Sequence, residues 1–142
     1  MIVLDTNVVS QTVRSRPSPA VMSWLAAQTD GFAITAVTLG ELWTGVQMLP
    51  GGRRKEGLAN AIETVLERWA VRLPYDDKAA RIYADLRVLA RSTGRGLNVE
   101  DGMIAATCAA HGAPLATRNV ADFDFLPVRA LNPWTSAGEP IS

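Results

Sequence analysis

The chain has 142 residues, 48% of them hydrophobic, and its 14 basic and 14 acidic side chains give a net charge of zero. This composition favours one globular domain with a hydrophobic core and argues against a strongly basic, non-specific nucleic-acid binder. The single cysteine, Cys108, excludes an internal disulfide and fits a reducing compartment. Since there is no basic and apolar leader, and no apolar run approaches the roughly 20 residues that span a bilayer, we expect a cytoplasmic protein without membrane contact.

The spacing of apolar residues predicts strands that alternate with helices. In chain order, the predicted elements are strand 2–4, a helix beginning near Pro19, strand 32–34, helix 38–48, helix 54–69, strand 71–73, helix 77–91, helix 101–111, strand 114–116 and strand 127–130. Such alternation is typical of a parallel sheet with helices on both faces. We therefore predict a three-layer α/β/α sandwich around a four- to five-stranded parallel sheet. One domain is expected over residues 1–133, with a disordered tail over residues 134–142.

Asp5 is the most informative position, because an apolar strand ends there in a carboxylate. Asn7 follows two residues later with a second oxygen-bearing side chain. Ligands of open parallel sheets collect at the carboxyl ends of the strands, so Asp5 is expected at the mouth of a site. The alternative is that Asp5 serves as a helix cap or turn residue.

Glu41, Asp101 and Asp122 stand at comparable junctions further along the chain. Thr38 and Glu41 match the capping-box pattern, in which Glu41 would turn back to the helix backbone, and that alternative stays open. Asp101 opens an alanine-rich helix whose small side chains allow close approach to the sheet, although an acidic residue is favoured at any helix N-terminus.

Asp122 follows the fourth predicted strand together with Thr117 and Asn119, a density of polar side chains that ordinary loop chemistry also produces. Asn119 is expected to cap a short helical turn, and Thr117 offers a hydroxyl at the end of the strand. Four carboxylates that converge on one rim repel each other unless a cation holds them together. The sequence therefore predicts a divalent metal site.

Four motifs, in order along the chain, resemble those of the PIN domains, and specifically of the VapC and FitB type of toxin nuclease. The matching residues are Leu4-Asp5-Thr6-Asn7, Thr38 with Glu41-Leu42, Asp101-Gly102-Met103-Ile104-Ala105-Ala106, and Leu115-Ala116-Thr117-Arg118-Asn119 with Asp122-Phe123. Together they cover nearly the whole chain. One departure is Gly96, which stands where the family's loop has proline.

The resemblance implies a Mg²⁺- or Mn²⁺-dependent endoribonuclease that acts as the toxin of a type II toxin–antitoxin system. It implies Asp5, Asp101 and Asp122 as metal ligands and Glu41 as the fourth catalytic carboxylate. It further implies support from four polar side chains, namely Thr6, Asn7, Thr117 and Asn119. The implied partners are a cognate antitoxin, an RNA substrate, DNA only through the antitoxin, and a second copy of the chain in a homodimer.

Arg118 lies inside the last motif and is the candidate for a contact to a substrate phosphate near the metal. The four tryptophans offer stacking surfaces for bases, but Trp24, Trp43 and Trp69 lie at helical positions typical of packing. His111 and Cys108 show no metal-ligand spacing and are interpreted as a helix-end residue and a core residue.

Two other classes of protein are alternatives to this family. A phosphoaspartyl enzyme requires Asp-x-Asp after the first strand and a lysine after a later one, whereas this chain has Asp5-Thr6-Asn7, and Lys55 and Lys78 lie in predicted helices. A non-catalytic module that binds an antitoxin or nucleic acid remains the main alternative. The four filled acidic positions argue against it without excluding it.

Overall fold

Five short strands form one parallel sheet in the computed structural model, which describes residues 1–69 and 71–136. The strands are Ile2–Leu4 (β1), Phe32–Thr35 (β2), Val71–Leu73 (β3), Leu115–Ala116 (β4) and Ala130–Leu131 (β5). Every pairing is parallel, in the order β3-β2-β1-β4-β5, which confirms the predicted kind of sheet.

The last strand begins later than the predicted 127–130. Pro127 has no N–H to donate, and the Val128 N–H is bonded to the Leu126 carbonyl at 2.8 Å within a turn. The chain therefore joins β4 only where the Arg129 carbonyl accepts from the Leu115 N–H at 2.8 Å.

Helices connect the strands and cover the sheet. They are Thr6–Thr12 (α1), Pro19–Ala27 (α2), Ala36–Gln47 (α3), Arg53–Arg68 (α4), Asp77–Thr93 (α5) and Val99–His111 (α6), with a 3₁₀ turn at Val120–Asp122. α1 was not predicted, because its seven residues are too few to establish a helical period. Among the described helices, none is long and apolar enough to cross a membrane.

The side chains of β1 alternate between two hydrophobic cores on opposite faces of the sheet. Ile2 and Leu4 belong to the first core, which contains buried residues of α1, α2, α3 and α4. Val3 belongs to the second core, which contains buried residues of α5 and α6. Because successive strand residues face opposite sides, this division gives the three layers that the sequence predicts.

The side on which successive strands are added to the sheet reverses between β1 and β4. From β1 the chain adds β2 and then β3 on one side, and it returns to place β4 against the other side of β1. Such a switch point opens a crevice beyond the carboxyl ends of the two strands, where ligands of open α/β sheets bind. Asp5 and Thr117 are the first residues after β1 and β4 and therefore lie at this crevice.

The described residues extend to residue 136, beyond the predicted domain end at residue 133. Trp134 is half-buried against the first core, and its N–H donates to Asn132 Oδ1 at 2.9 Å. The Asn132 carbonyl accepts from the N–H groups of Thr135 and Ser136. These contacts hold residues 134–136 against the domain, and the domain end at residue 133 with a disordered tail stays a prediction. Residues 137–142 lie outside the described residues.

Candidate active site

Asp5 is held by hydrogen bonds from residues that follow both strands of the switch point. Its Oδ1 accepts from the Thr6 N–H at 2.8 Å, which caps α1, and its Oδ2 accepts from Thr117 Oγ1 at 2.8 Å. The residue is only 6% exposed. Burial raises the pKa of Asp5, while the hydrogen bonds from Thr117 and Thr6 oppose that rise. The capping role predicted as an alternative is thus present together with the position at the crevice.

Glu41 reaches across to α1 and does not form the predicted capping box. The side chain that caps α3 belongs to Thr35, whose Oγ1 accepts from the Thr38 N–H at 3.1 Å. The capping box that the sequence left open for Thr38 and Glu41 does not form, because α3 begins two residues earlier than expected and both residues lie inside the helix. Glu41 Oε1 instead accepts from Thr6 Oγ1 at 3.0 Å.

Glu41 lies close to other carboxylates, as the causes of its raised pKa show. Burial is the main cause that raises the pKa of Glu41, and the charges of Asp5, Asp101 and Glu100 raise it further. The hydrogen bond from Thr6 partly opposes these effects. Glu41 therefore shares one electrostatic environment with residues from β1 and α6.

Asp101 lies in the first turn of α6, which Asn98 caps. The Asp101 N–H donates to Asn98 Oδ1 at 2.8 Å, and Asn98 Nδ2 donates to Asp101 Oδ2 at 3.0 Å. Burial raises the pKa of Asp101, and so do the charges of Asp5, Asp122 and Glu100, against the hydrogen bond from Asn98. Asn98 was not predicted, although an Asn three residues before an acidic helical residue is a recognisable cap pattern.

Asp122 ends the 3₁₀ turn that follows β4, and its side chain is exposed. Asn119 occupies the predicted cap position of this turn, but its side chain makes no capping bond. Its N–H donates to Thr117 Oγ1 at 3.1 Å. The repulsion between Asp122 and Asp101 shows that this loop lies close to the first turn of α6.

Arg95 joins the loop before α6 to the segment that carries Asp122. Its Nη2 donates to Asp124 Oδ1 at 2.6 Å and to the Ala121 carbonyl at 3.1 Å, and its guanidinium carbon lies 4.7 Å from the centre of the Phe125 ring. Sequence reasoning did not find this connection, because the contacts span more than 25 positions and no local pattern marks them.

Asn7 connects the ends of β1 and β4 through its amide. Its Oδ1 accepts from the Arg118 N–H at 3.2 Å, and its Nδ2 donates to Thr117 Oγ1 at 3.5 Å. The Arg118 side chain is exposed, and its guanidinium carbon lies 5.0 Å from the centre of the Trp134 ring. The structure thus brings Asn7, Thr117 and Arg118 together, as the motifs predict, and adds Trp134.

An open groove of about 690 Å³ runs between α3 and the first turn of α6. Its walls include Glu41 and Asp101, together with Val37, Gly40, Thr44, Gly45, Asn98 and Glu100. Cys108 lies elsewhere, and burial raises the pKa of its thiol to about 12, so it is not a thiolate ligand. The donors available at the groove are therefore oxygen atoms.

The donor set fits a hydrated divalent cation. Among the described side chains, no three Asp, Glu, His or Cys residues are arranged so that they alone could hold a metal ion. Mg²⁺ keeps several water ligands and is bound through one or two carboxylates plus substrate phosphates. The mutual repulsion of Asp5, Glu41 and Asp101 is the kind of stress that a bound cation relieves.

Curated relatives match the chain over nearly its full length. The VapC ribonuclease Y4jK of Sinorhizobium fredii is 41% identical over 96% of this chain and 100% of its own length. The toxin FitB of Neisseria gonorrhoeae is 38% identical over 94% of this chain and 99% of its own length. PIN-domain VapC ribonucleases generally depend on divalent metal.

Solved structures share the fold described above. The FitAcB structure from Neisseria gonorrhoeae matches with a TM-score of 0.89 and 37% identity, over 95% of this chain and 99% of that one. Other similar structures are VapBC complexes, some of them bound to DNA. The family model of the PIN domain matches residues 2–125, and the chain therefore belongs to the PIN domain family.

Proposed function

We propose that this chain is a metal-dependent endoribonuclease and the toxin component of a type II toxin–antitoxin module. The observation that carries the proposal is the convergence of carboxylates from four separate elements at the switch point of the sheet. Burial raises the pKa of Glu41 and of Asp101, and the charges of neighbouring carboxylates raise both further. Relatives named as VapC ribonucleases and as the toxin FitB support the assignment.

In this proposal, Asp5, Asp101 and Asp122 hold Mg²⁺ or Mn²⁺, and Glu41 completes the acidic site. When bound, such an ion makes a water more acidic and offsets charge on the scissile phosphate. The protein supplies fixed geometry: the hydroxyl of Thr117 holds one oxygen of Asp5, and the Thr6 N–H holds the other.

The remaining polar residues act by orienting these carboxylates. The Thr6 hydroxyl holds Glu41, the Asn7 amide contacts Thr117, and the Asn119 N–H donates to the same Thr117 hydroxyl. Because these supports come from the segments after both β1 and β4, the acidic groups are preorganised before substrate binds. Preorganised charge is the usual source of a large rate enhancement.

The substrate proposed is single-stranded or looped RNA, whose unstacked bases are accessible. Arg118 is exposed next to Thr117 and is the candidate for a contact to a substrate phosphate. With a net charge of zero, the protein relies on such local cations rather than on a general positive field.

The proposed partners are a cognate antitoxin and a second copy of the chain, and the module acts in the cytoplasm. Similar structures are toxin–antitoxin complexes, and some contain DNA, which supports an antitoxin partner that links the pair to DNA. In this proposal the chain contacts DNA only through that antitoxin.

Cleavage of a mixed pool of structured and single-stranded RNA tests the function. The purified chain should cut RNA with Mg²⁺ or Mn²⁺ and stop cutting in EDTA. Asp5→Asn and Asp101→Asn should each lower kcat by about a hundredfold or more, since losing one preorganised electrostatic group typically costs that much.

Asp30→Asn is the matched control, because Asp30 is an exposed carboxylate just before β2, at the opposite edge of the sheet. It should leave cleavage unchanged. Cutting at the wild-type rate by either site variant would contradict the site assignment. Metal-independent cutting would contradict the metal-dependent mechanism. No cutting of any RNA, together with no metal binding, would favour the non-catalytic interaction module.

A further inference from the structure

Arg118, the arginine of the four motifs, stacks its guanidinium on a residue outside those motifs. Its guanidinium carbon lies 5.0 Å from the centre of the Trp134 ring, within the range of a cation–π contact. Trp134 is half-buried against the first core, so one part of the indole is anchored while another part receives the arginine. A rigid ring thus supports a flexible cation.

The main chain around Arg118 is fixed on both sides by asparagine amides. Its N–H donates to Asn7 Oδ1 at 3.2 Å, and its carbonyl accepts from Asn132 Nδ2 at 3.4 Å. Asn132 Oδ1 in turn accepts from the Trp134 N–H at 2.9 Å. The same Asn132 side chain therefore sets the positions of both the arginine backbone and the tryptophan.

Arg118 follows Thr117, which donates to Asp5, yet it does not neutralise the acidic site. The ion pairs within the described residues are Arg81 with Asp77 and Arg95 with Asp124. Stacking on an aromatic face leaves the N–H donors at the edge of a guanidinium free, and their planar array matches two phosphate oxygens. The charge of Arg118 therefore remains available for an anion beside the carboxylates.

We infer that Trp134 is a positioning residue that holds Arg118 ready to bind a phosphate of single-stranded RNA next to the acidic site. This inference rests on the proposed ribonuclease function. Trp134 contributes no charge of its own. Its role is to keep the guanidinium of Arg118 in one place, because without the ring the side-chain freedom lost on binding keeps the arginine from forming the phosphate contact.

The dependence of RNA affinity on salt tests the inference. Binding of a short fluorescein-labelled single-stranded RNA is measured by anisotropy over a salt series, in the Asp5→Asn background so that the RNA stays intact. The slope of the logarithm of the association constant against the logarithm of salt concentration is negative. Arg118→Ala should make it shallower by about 0.7, the value for one lost phosphate contact on a single strand. Trp134→Leu should make the slope shallower by a similar amount, although it removes no charge.

A double-mutant cycle and two matched variants separate positioning from general damage. Arg118→Ala combined with Trp134→Leu should bind no more weakly than either single variant, and Trp134→Phe should restore most of the slope because it keeps a ring. Trp69→Leu truncates another half-buried indole, packed on Phe32 at the end of α4, and should leave the slope unchanged.

The outcomes for the two proposals can be told apart. If Trp134→Leu kept the wild-type salt slope while Arg118→Ala had a shallower one, the positioning role of Trp134 would be overturned. If Trp134→Leu does not fold, the slope of Trp134→Phe compared with that of Arg118→Ala gives the answer, since a Phe variant that loses the whole contact contradicts support by the ring. Failure of the wild-type chain to cleave RNA would overturn the nuclease function while the binding result still decides the role of Trp134.

Discussion

At the scale of single residues, Asp5 shows how the fold and the site compete for one side chain. The carboxylate caps α1 and accepts from Thr117, yet its burial raises its pKa, so its ionised form is costly in the metal-free protein. Residues that function under such stress commonly reduce stability, because selection acts on activity as well as on folding.

We expect the metal-free protein to become more stable as the pH falls from neutral towards the ordinary pKa values of the site's carboxyl groups. Asp5, Glu41 and Asp101 have pKa values above their ordinary values of 3.8 and 4.5, so the folded state binds more protons than the unfolded chain in the interval between. Stability therefore falls as pH rises through the folded pKa values. Urea unfolding in EDTA at a series of pH values measures this.

Asp5→Asn is the variant that isolates the effect, because the amide does not ionise. It should weaken the pH dependence in this interval and raise the midpoint of urea unfolding near neutral pH. A wild-type stability that increases with pH over the same interval, or an unchanged pH dependence in Asp5→Asn, would contradict the prediction.

The sequence was sufficient to locate the acidic residues but not all of their partners. Asp5 could be placed at a strand end because three apolar residues precede it. The capping box of Thr38 and Glu41 stayed open as an alternative because Thr35 and Thr38 both have the hydroxyl that a cap needs, and only the position where β2 ends decides between them. A contact such as that of Thr6 with Glu41 depends on how α1 packs beside α3, which no local pattern encodes.

At the scale of secondary-structure elements, the contact between α5 and α6 sets the position of Asp101. Gly102 stands directly after Asp101 at this contact, and a Cβ built there would lie only 2.8 Å from Tyr83 Cε2. The Tyr83 ring is itself packed edge-on against Tyr75, with centroids 6.2 Å apart, and beneath the guanidinium of Arg87. The missing side chain therefore allows the two helices to approach each other.

Gly102→Ala should destabilise the protein by about 1–3 kcal/mol, the usual cost of forcing extra volume into a packed contact. It should also lower cleavage, because relief of the clash moves the first turn of α6 and Asp101 with it. Thermal unfolding and RNA cleavage measure the two effects.

Gly57→Ala is the control for the ordinary effect of alanine in a helix. Gly57 lies inside α4, and a Cβ built there meets nothing within 4 Å. This variant should be more stable by roughly 0.5–1 kcal/mol, because alanine loses less conformational freedom than glycine in a helix. A Gly102→Ala variant that is as stable as Gly57→Ala would show that the contact tolerates the methyl group.

Element boundaries were predictable where side chains punctuate them and not where tertiary contacts do. The end of α6 at His111 was predicted, because Gly112 takes the left-handed conformation, with φ of 59°, that stops a helix. α1 was missed because its stability comes from the Asp5 cap and from burial of Val8 and Val9 rather than from a long period.

At the scale of the whole molecule, the alternation of elements predicts the layers but not the order of the strands. No local sequence pattern indicates that β4 pairs with the free side of β1 rather than with β3 at the edge of the sheet. This pairing creates the switch point. The consequence is that the acidic site combines residues from the first strand end and from segments about a hundred positions later. A ligand bound there links distant parts of the chain.

Metal binding should therefore stabilise the whole fold. A ligand that binds only the folded state at a hundred times its Kd adds about 2.7 kcal/mol. For a chain of this size that corresponds to a rise in Tm of roughly 5–10 °C. Calorimetry with Mn²⁺ and with EDTA measures the rise, which should disappear in EDTA and persist in the Asp30→Asn control.

A comparison of Asp5→Asn with Asp101→Asn tests whether metal binding requires carboxylates from both parts of the chain. Asp5→Asn and Asp101→Asn should each abolish most of the Mn²⁺-dependent rise in Tm, because Asp5 follows β1 and Asp101 lies in α6, and each alone leaves too few carboxylates near the ion. If only one variant lost the rise, the ion would be held by one half of the chain, and the convergence of carboxylates at the switch point would not be the basis of metal binding. Loss in both variants means that the metal requires the completed fold, so that metal affinity and global stability are thermodynamically linked.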